Sequence, residues 1–325
     1  RLSVCVMLGV NGRATGEAAA SVKNQAGELP AGMQLNLYTD KLINTAGNIK
    51  SLRHLESLVG SDYTEQGTIA AEGNTNIQIT GTLNNEGHLQ AGQKLSISAQ
   101  NLNNASQGKI NATDTQIKIT QQLNNRGLID GNSTYLQAQT IHNLGEKAKI
   151  YGDHLAISAN TVIDETASGN AGTIAARRRL AMGGPTLTNR EQALIFSSGD
   201  LAIGGSLDHQ NHATGKADNI NNNSATIESL GNMYLATREL HNTNEHFKTE
   251  LVEKQRERHV EYEANGRNER LTDGTQAELG WGVFNDEINK LRTPDGRVHE
   301  NWHRYNYWRP SSHTEVPATA PAKNI

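Results

Sequence analysis

Between Val22 and Asn242 the chain returns about every 20 residues to one phrase: apolar-x-Asn, then Gly-x-Ile/Leu-x-Ala/Ser, then Leu-x-Ile-x-Ala. The clearest copies open at Leu83-Asn84-Asn85, Leu102-Asn103-Asn104 and Leu123-Asn124-Asn125. Weaker ones open at Val22-Lys23-Asn24, Leu42-Ile43-Asn44, Ile141-His142-Asn143, Leu187-Thr188-Asn189, Ile220-Asn221-Asn222 and Leu240-His241-Asn242. A fixed period of this length marks stacked units, each of which packs on its neighbours.

Inside a copy the apolar residues alternate, as in Leu95-Ser96-Ile97, Ile117-Lys118-Ile119, Leu155-Ala156-Ile157 and Leu201-Ala202-Ile203. This is the two-residue period of a half-buried strand. No helical face is sustained, and Gly and Asn recur too often for helix interiors. Each copy reads as two or three short strands joined by corners such as Ala91-Gly92-Gln93 and Asn84-Asn85-Glu86-Gly87. Stacking the copies puts Leu on Leu and Ile on Ile and pairs each strand in parallel with the next coil. The expected fold is all-β: a right-handed parallel β-helix of roughly eleven coils, on the order of 50 Å long, with a non-repeating C-terminal extension. A thin, long core explains how a chain with 35% hydrophobic and 4% aromatic residues can fold.

The corner asparagines, Asn84, Asn85, Asn103, Asn104, Asn124 and Asn125 among them, have a structural reading: Asn tolerates left-handed backbone, and repeated Asn can stack as a side-chain ladder. The Asn-Gly-Arg triplets at Asn11 to Arg13 and Asn265 to Arg267 read as turns. The phrase degenerates between Leu58 and Gln66, and its corner lengthens between Ile163 and Gly172 and around His209 to Asn219; insertions of this kind map to loops on one face. Arg177-Arg178-Arg179 reads as an outward, solvated charge.

A net charge of -4, from 30 basic and 34 acidic residues, gives no electrostatic case for nucleic acid or an anionic membrane. The single cysteine, Cys5, excludes an intramolecular disulfide framework and a multi-cysteine metal site, but stacked coils need no crosslinks even outside the cell. No stretch approaches the roughly 18 apolar residues of a membrane span. The short run Leu2 to Val10 reads as part of an upstream coil or a truncated end, and the chain, which begins without Met, as an internal fragment. Four segments are expected: 1–21, a degenerate or truncated coil; 22–243, the repeat; 244–315, a non-repeating charged and aromatic extension; and 316–325, a linker containing Pro317-Ala318-Thr319-Ala320-Pro321-Ala322.

In the extension, the charged stretch from Glu245 to Arg270 suits a helix or, preferably, a strand of a long antiparallel hairpin. Beyond it lie Trp281, Phe284, Trp302, Tyr305, Tyr307 and Trp308. Such a cluster either packs over strand edges, the plainer reading, or presents an interaction surface, because Trp, Tyr and Arg dominate binding hot spots. His299-Glu300-Asn301-Trp302-His303 matches the His-Glu-x-x-His zinc pattern, which works only on a helix. Pro294-Asp295-Gly296 signals a turn before it, and His303, Tyr305 and Tyr307 alternate as in a strand, so no metal is expected. Asp114, Asp130 and Asp153 lie in successive coils and could line up as the carboxylates of a carbohydrate-active β-helix enzyme, but turn capping is the better reading.

Taken with the extension, the phrase Leu-Asn-Asn-x-Gly-x-Ile/Leu-x-Ala-x-x-x-Leu-x-Ile-x-Ala resembles the haemagglutinin repeat of filamentous haemagglutinins and contact-dependent growth inhibition effectors. Glu245-His246-Phe247-Lys248-Thr249-Glu250, followed by Glu300-Asn301-Trp302-His303-Arg304-Tyr305-Asn306-Tyr307, is similar to a segment that interrupts the repeats of those exoproteins. The resemblance implies a secreted or surface-exposed shaft of a Gram-negative bacterium, exported by two-partner secretion through an outer-membrane transporter. Its expected partner is a receptor on a host cell or neighbouring bacterium, contacted for adhesion or toxin delivery. The resemblance carries over no catalytic residue, cofactor or small-molecule substrate.

Overall fold

The computed structural model describes residues 13–18, 20–167, 169–272, 282–283 and 290–317. Among them every regular element is a β-strand, and no helix is long and apolar enough to cross a membrane. The chain separates into two units, one running to Glu245 and one from His246.

The first unit is a parallel β-solenoid of about eleven turns. A representative coil contributes three strands, His88–Ala91, Lys94–Ala99 and Asn101–Asn104. Each continues one of three parallel ladders, pairing in register with the coil before and the coil after. Because the period of each strand is two, in-register stacking turns alternate apolar residues into continuous inner columns. In the first ladder Ile69, Leu89, Ile110, Ile129, Ile150, Ile174 and Ile195 stack one above another, all fully buried. In the second, Ile77, Ile97, Ile117, Leu136 and Ile157 do the same. Each such side chain is worth about 1.5–3 kcal/mol of burial. A neighbouring column of the second ladder, Leu55, Thr75, Leu95, Thr115, Thr134 and Leu155, carries threonines without cost to hydrogen bonding: Thr75, Thr115 and Thr134 are buried, and their hydroxyls donate to the carbonyls of Gln90, Asp130 and Tyr151 at 2.8–2.9 Å.

The corners lengthen at both places where lengthening is expected. Ile163 to Gly172 carries a short loop closed by a bridge between Thr166 and Ala171. The stretch around His209 forms a small antiparallel hairpin, Ser206–Leu207 with Ala213–Thr214. Leu58 to Gln66, by contrast, holds no loop: the strands His54–Val59 and Tyr63–Ala71 meet through a corner of ordinary length. There the repeat changes in chemistry, not in geometry. Glycine is obligatory where coils touch at a corner, since a Cβ on Gly87 would lie 2.3 Å from the Gly67 carbonyl oxygen.

In the second unit, Thr249–Ala264 is a strand, not a helix, and pairs antiparallel with Trp302–Pro317 across a separation of about 50 residues in sequence. Arg270–Thr272 adds a third strand to this ribbon, and residues 282–283, 291–292 and 298–299 make a small meander. Among the described residues, Val260, Tyr262, Ala264 and Leu291 form its buried apolar cluster, with Leu271 and Trp302 packed against them. Trp281, Phe284, Asn11, the run Leu2 to Val10 and the terminal 318–325 lie outside the described residues.

Candidate functional site

Among the described residues of the extension, Trp302, Tyr305, Tyr307 and Trp308 fall on two faces of one ribbon. On Trp302–Pro317 successive side chains point to opposite sides, so Trp302 and Trp308 share one face while Tyr305 and Tyr307 share the other. Trp302 lies opposite Ala264 and packs at 5.8 Å on Tyr262, which makes it part of the small core. Trp308 on the same face is 61% exposed. The other face is a lattice of rings and charges. Tyr307 stacks on His259 at 6.0 Å and Tyr305 on His303 at 6.4 Å. The Arg270 guanidinium sits 4.0 Å over the Tyr305 ring and that of Arg309 4.8 Å over Tyr307, while Glu261 lies between both arginines at 3.5 and 3.8 Å. Aromatic faces flanked by arginine are the usual composition of a binding hot spot.

The His-Glu-x-x-His stretch spans the end of Val298–His299 and the start of Trp302–Pro317, so its two histidines are not presented by one helical face. His299 meets the Thr293 hydroxyl at 3.2 Å, Glu300 pairs with Lys290 at 3.3 Å, and His303 stacks on Tyr305. Asn265-Gly266-Arg267 forms a tight turn with Gly266 at φ 81°, and Arg267 pairs with Asp295.

On the solenoid, the three aspartates do not converge on one point. Asp114 faces Lys94 at 3.8 Å. Asp130 caps the Gly131 amide at 2.9 Å, as a turn residue does. Asp130 and Asp153 are joined by Arg177, which donates three bonds to Asp130 and reaches Asp153 at 3.3 Å. Arg177 is therefore not merely solvated. It lies where the register shifts between Gly152 and His154, and it neutralises Asp153 there and Asp130 on the preceding coil. Arg179 donates to the Asn211 carbonyl at 3.3 Å, which ties the small hairpin to the solenoid.

The corner asparagines separate into an inner and an outer ladder. The inner column runs Asn24, Asn44, Glu65, Asn85, Asn104, Asn125, Asn143, Asp164, Asn189, Asn222 and Asn242, one residue per turn in continuous register. From Asn85 each Nδ2 donates to Oδ1 of the next coil, to Asn104 at 2.7 Å, then Asn125 at 2.8 Å and Asn143 at 2.8 Å. Each also points at a backbone carbonyl of that next coil, Lys109, Leu128 or Lys149, which fixes the amide orientation. The outer ladder runs the opposite way: Asn124 donates to Asn103 and Asn103 to Asn84. None of the ladder asparagines adopts a left-handed backbone; among the described residues positive φ falls elsewhere, as at Ala26 and Ala46.

Two carboxylates occupy inner positions that the phrase reserves for Asn. Glu65 is fully buried and accepts from Asn44 Nδ2, the Tyr63 hydroxyl and the Gly67 amide. Burial pushes its carboxyl up to about 7, against the lowering effect of those donors. Asp164, also fully buried, accepts one bond from Asn143 at 2.9 Å, and burial pushes it up to about 8.

These features define a class by architecture: a parallel β-solenoid whose interior is filled by apolar columns and an amide ladder. Compared with family models, with curated proteins and with solved structures, the chain finds no match in any of the three.

Proposed function

We propose that the chain is a non-enzymatic shaft segment of a large secreted or surface-exposed bacterial adhesin or contact-dependent growth inhibition effector. The observation that carries this reading is the continuity of the buried columns from coil to coil, which devotes the interior to stacking. Length at constant cross-section is what a shaft requires, and a solenoid gains length by adding turns. The ribbon face bearing Tyr305, Tyr307, Arg270 and Arg309 is the candidate contact surface for a receptor on a host cell or neighbouring bacterium. The likeness of the repeat to haemagglutinin exoproteins supports export through an outer-membrane two-partner secretion transporter, with neither nucleic acid nor a small molecule as partner.

The test is direct binding of the purified chain to intact mammalian and Gram-negative bacterial cells, compared with variants Tyr305→Ala and Tyr307→Ala. Saturable binding weakened at least tenfold by the substitutions is expected. Binding to neither cell type, or binding indifferent to both substitutions, refutes the contact surface. Cleavage of a polysaccharide that disappears in an Asp130→Asn, Asp153→Asn double variant would instead make the chain an enzyme.

A further inference from the structure

The inner ladder contains an arrangement that ordinary amide stacking cannot satisfy. Asp164 and Asn189 face each other in register on adjacent coils. Oδ2 of Asp164 and Oδ1 of Asn189 are both buried, and among the described residues neither has a hydrogen-bond partner. Asn189 cannot resolve this by turning its amide over. Its Nδ2 already points into the following coil, donating to Asn222 Oδ1 and to the Thr226 carbonyl, each at 2.8 Å. Asp164 cannot resolve it either, because its other oxygen is committed to Asn143. Two acceptors therefore meet with no donor between them, and an unpaired buried acceptor is costly. One hydrogen added between them satisfies both atoms together.

We propose that Asp164 is held as a neutral carboxylic acid whose Oδ2 hydroxyl donates to Oδ1 of Asn189, making this coil junction a proton-dependent joint of the solenoid. The proton gives Asp164 what the missing amide group of Asn would have supplied, one donor directed at the next coil. Among the described residues no counter-ion competes for the carboxyl. On its own strand the adjacent Glu165 is acidic and disfavours ionisation further. On the strand before, His142 flanks Asn143 and is only half-buried on the outward side; on the strand after, Arg190 is exposed and bonded to Glu245 at 3.0 Å. Gly172 closes the remaining approach, since even a Cβ there would lie 2.5 Å from Asp164 Oδ1. Glu65 is the internal contrast. It faces Asn85, whose Oδ1 is likewise unpartnered, but it has three donors of its own to hold a negative charge.

Burial raises the folded carboxyl from 3.8 to about 8, so the folded chain holds a proton that the unfolded chain has released throughout that window. Stability is complete below the lower value, declines as pH rises through the window and is flat above it. Ionisation would loosen the junction beside the loop closed by Thr166 and Ala171.

The experiment is infrared spectroscopy of the intact chain, which distinguishes the C=O stretch of a neutral carboxylic acid from a carboxylate, combined with amide hydrogen exchange across Thr186–Arg190. The expected result at pH 6 is a neutral-acid band with two components, one from Glu65 that is lost near pH 7 and one that is absent in Asp164→Asn and converts to carboxylate in the wild type only as pH rises past about 8. Exchange at Thr186–Arg190, corrected for its intrinsic pH dependence, should accelerate up to about tenfold per pH unit in the wild type and stay level in Asp164→Asn. A carboxylate at pH 6, or a junction that loosens when divalent cations are chelated, overturns the proposal. Two neutral carboxyls in the wild-type spectrum, against one, decide the matter even if the variant does not fold.

Discussion

At the scale of the residue, the ladder separates positions that look alike in sequence. Asn103 and Asn104 are neighbours in one phrase, yet Asn104 is buried and Asn103 only half-buried. Asn104→Ala takes the ladder acceptor from Asn85 Nδ2 and leaves Oδ1 of Asn125 with only the longer bond from the Gly127 amide, and should destabilise the chain by about 1–3 kcal/mol. Asn103→Ala exposes its partners to water and should cost under about 1 kcal/mol; urea denaturation of both variants checks the contrast. Glu65 makes a further prediction. Its folded value of about 7 lies above the unfolded 4.5, so it stabilises most at acid pH, and that contribution declines as pH rises between those values. Glu65→Gln should flatten the pH dependence of the unfolding midpoint across that window. A wild-type midpoint that rises from pH 5 to 7, with the rise lost in Glu65→Gln, would show the opposite sign.

At the scale of the element, strands, corners and register follow closely from the phrase, because a two-residue period admits only one inward set and a coil can stack only in register. What escaped were the coils beginning at Tyr63 and Val162, whose third residues are Glu65 and Asp164 where the phrase has Asn. Matching by residue type misses them; matching by position, about 20 residues on from each neighbour, finds them. The ladder reading of Asn was legible and its left-handed reading was not, because the side-chain bonds hold these residues at strand ends. Ile97 is packed on Ile77 and Ile117, and Ile97→Ala should cost about 2–5 kcal/mol. Hydrogen exchange should show that loss concentrated in adjoining coils, as nearest-neighbour stacking dictates. Arg177→Gln removes a half-exposed ion pair and should change stability by less than about 1 kcal/mol in the same denaturation experiment.

At the scale of the whole molecule, the solenoid was readable because its contacts repeat at a fixed sequence interval, whereas those of the second unit do not. Nothing in the local sequence announces that Thr249–Ala264 pairs with Trp302–Pro317, or that this pairing sends Trp302 and Tyr305 to opposite faces. The aromatic cluster was thus visible as composition and not as a surface. Each unit has its own apolar cluster, so a chain ending at Glu245 should retain the cooperative unfolding of the solenoid, and calorimetry of that truncation against the full chain checks it. The ladder's fixed direction has a consequence for how such a chain can change length. At Asn104 and Asn125 the coil receives a bond from one side and passes an identical bond to the other, so a copied coil can be spliced in, or one removed, with no mismatch at either seam. At Asp164 the pattern is punctuated: a duplicate of that coil would place one acid directly against another. Growth by duplication is open in the middle of the solenoid and closed at its acidic joints.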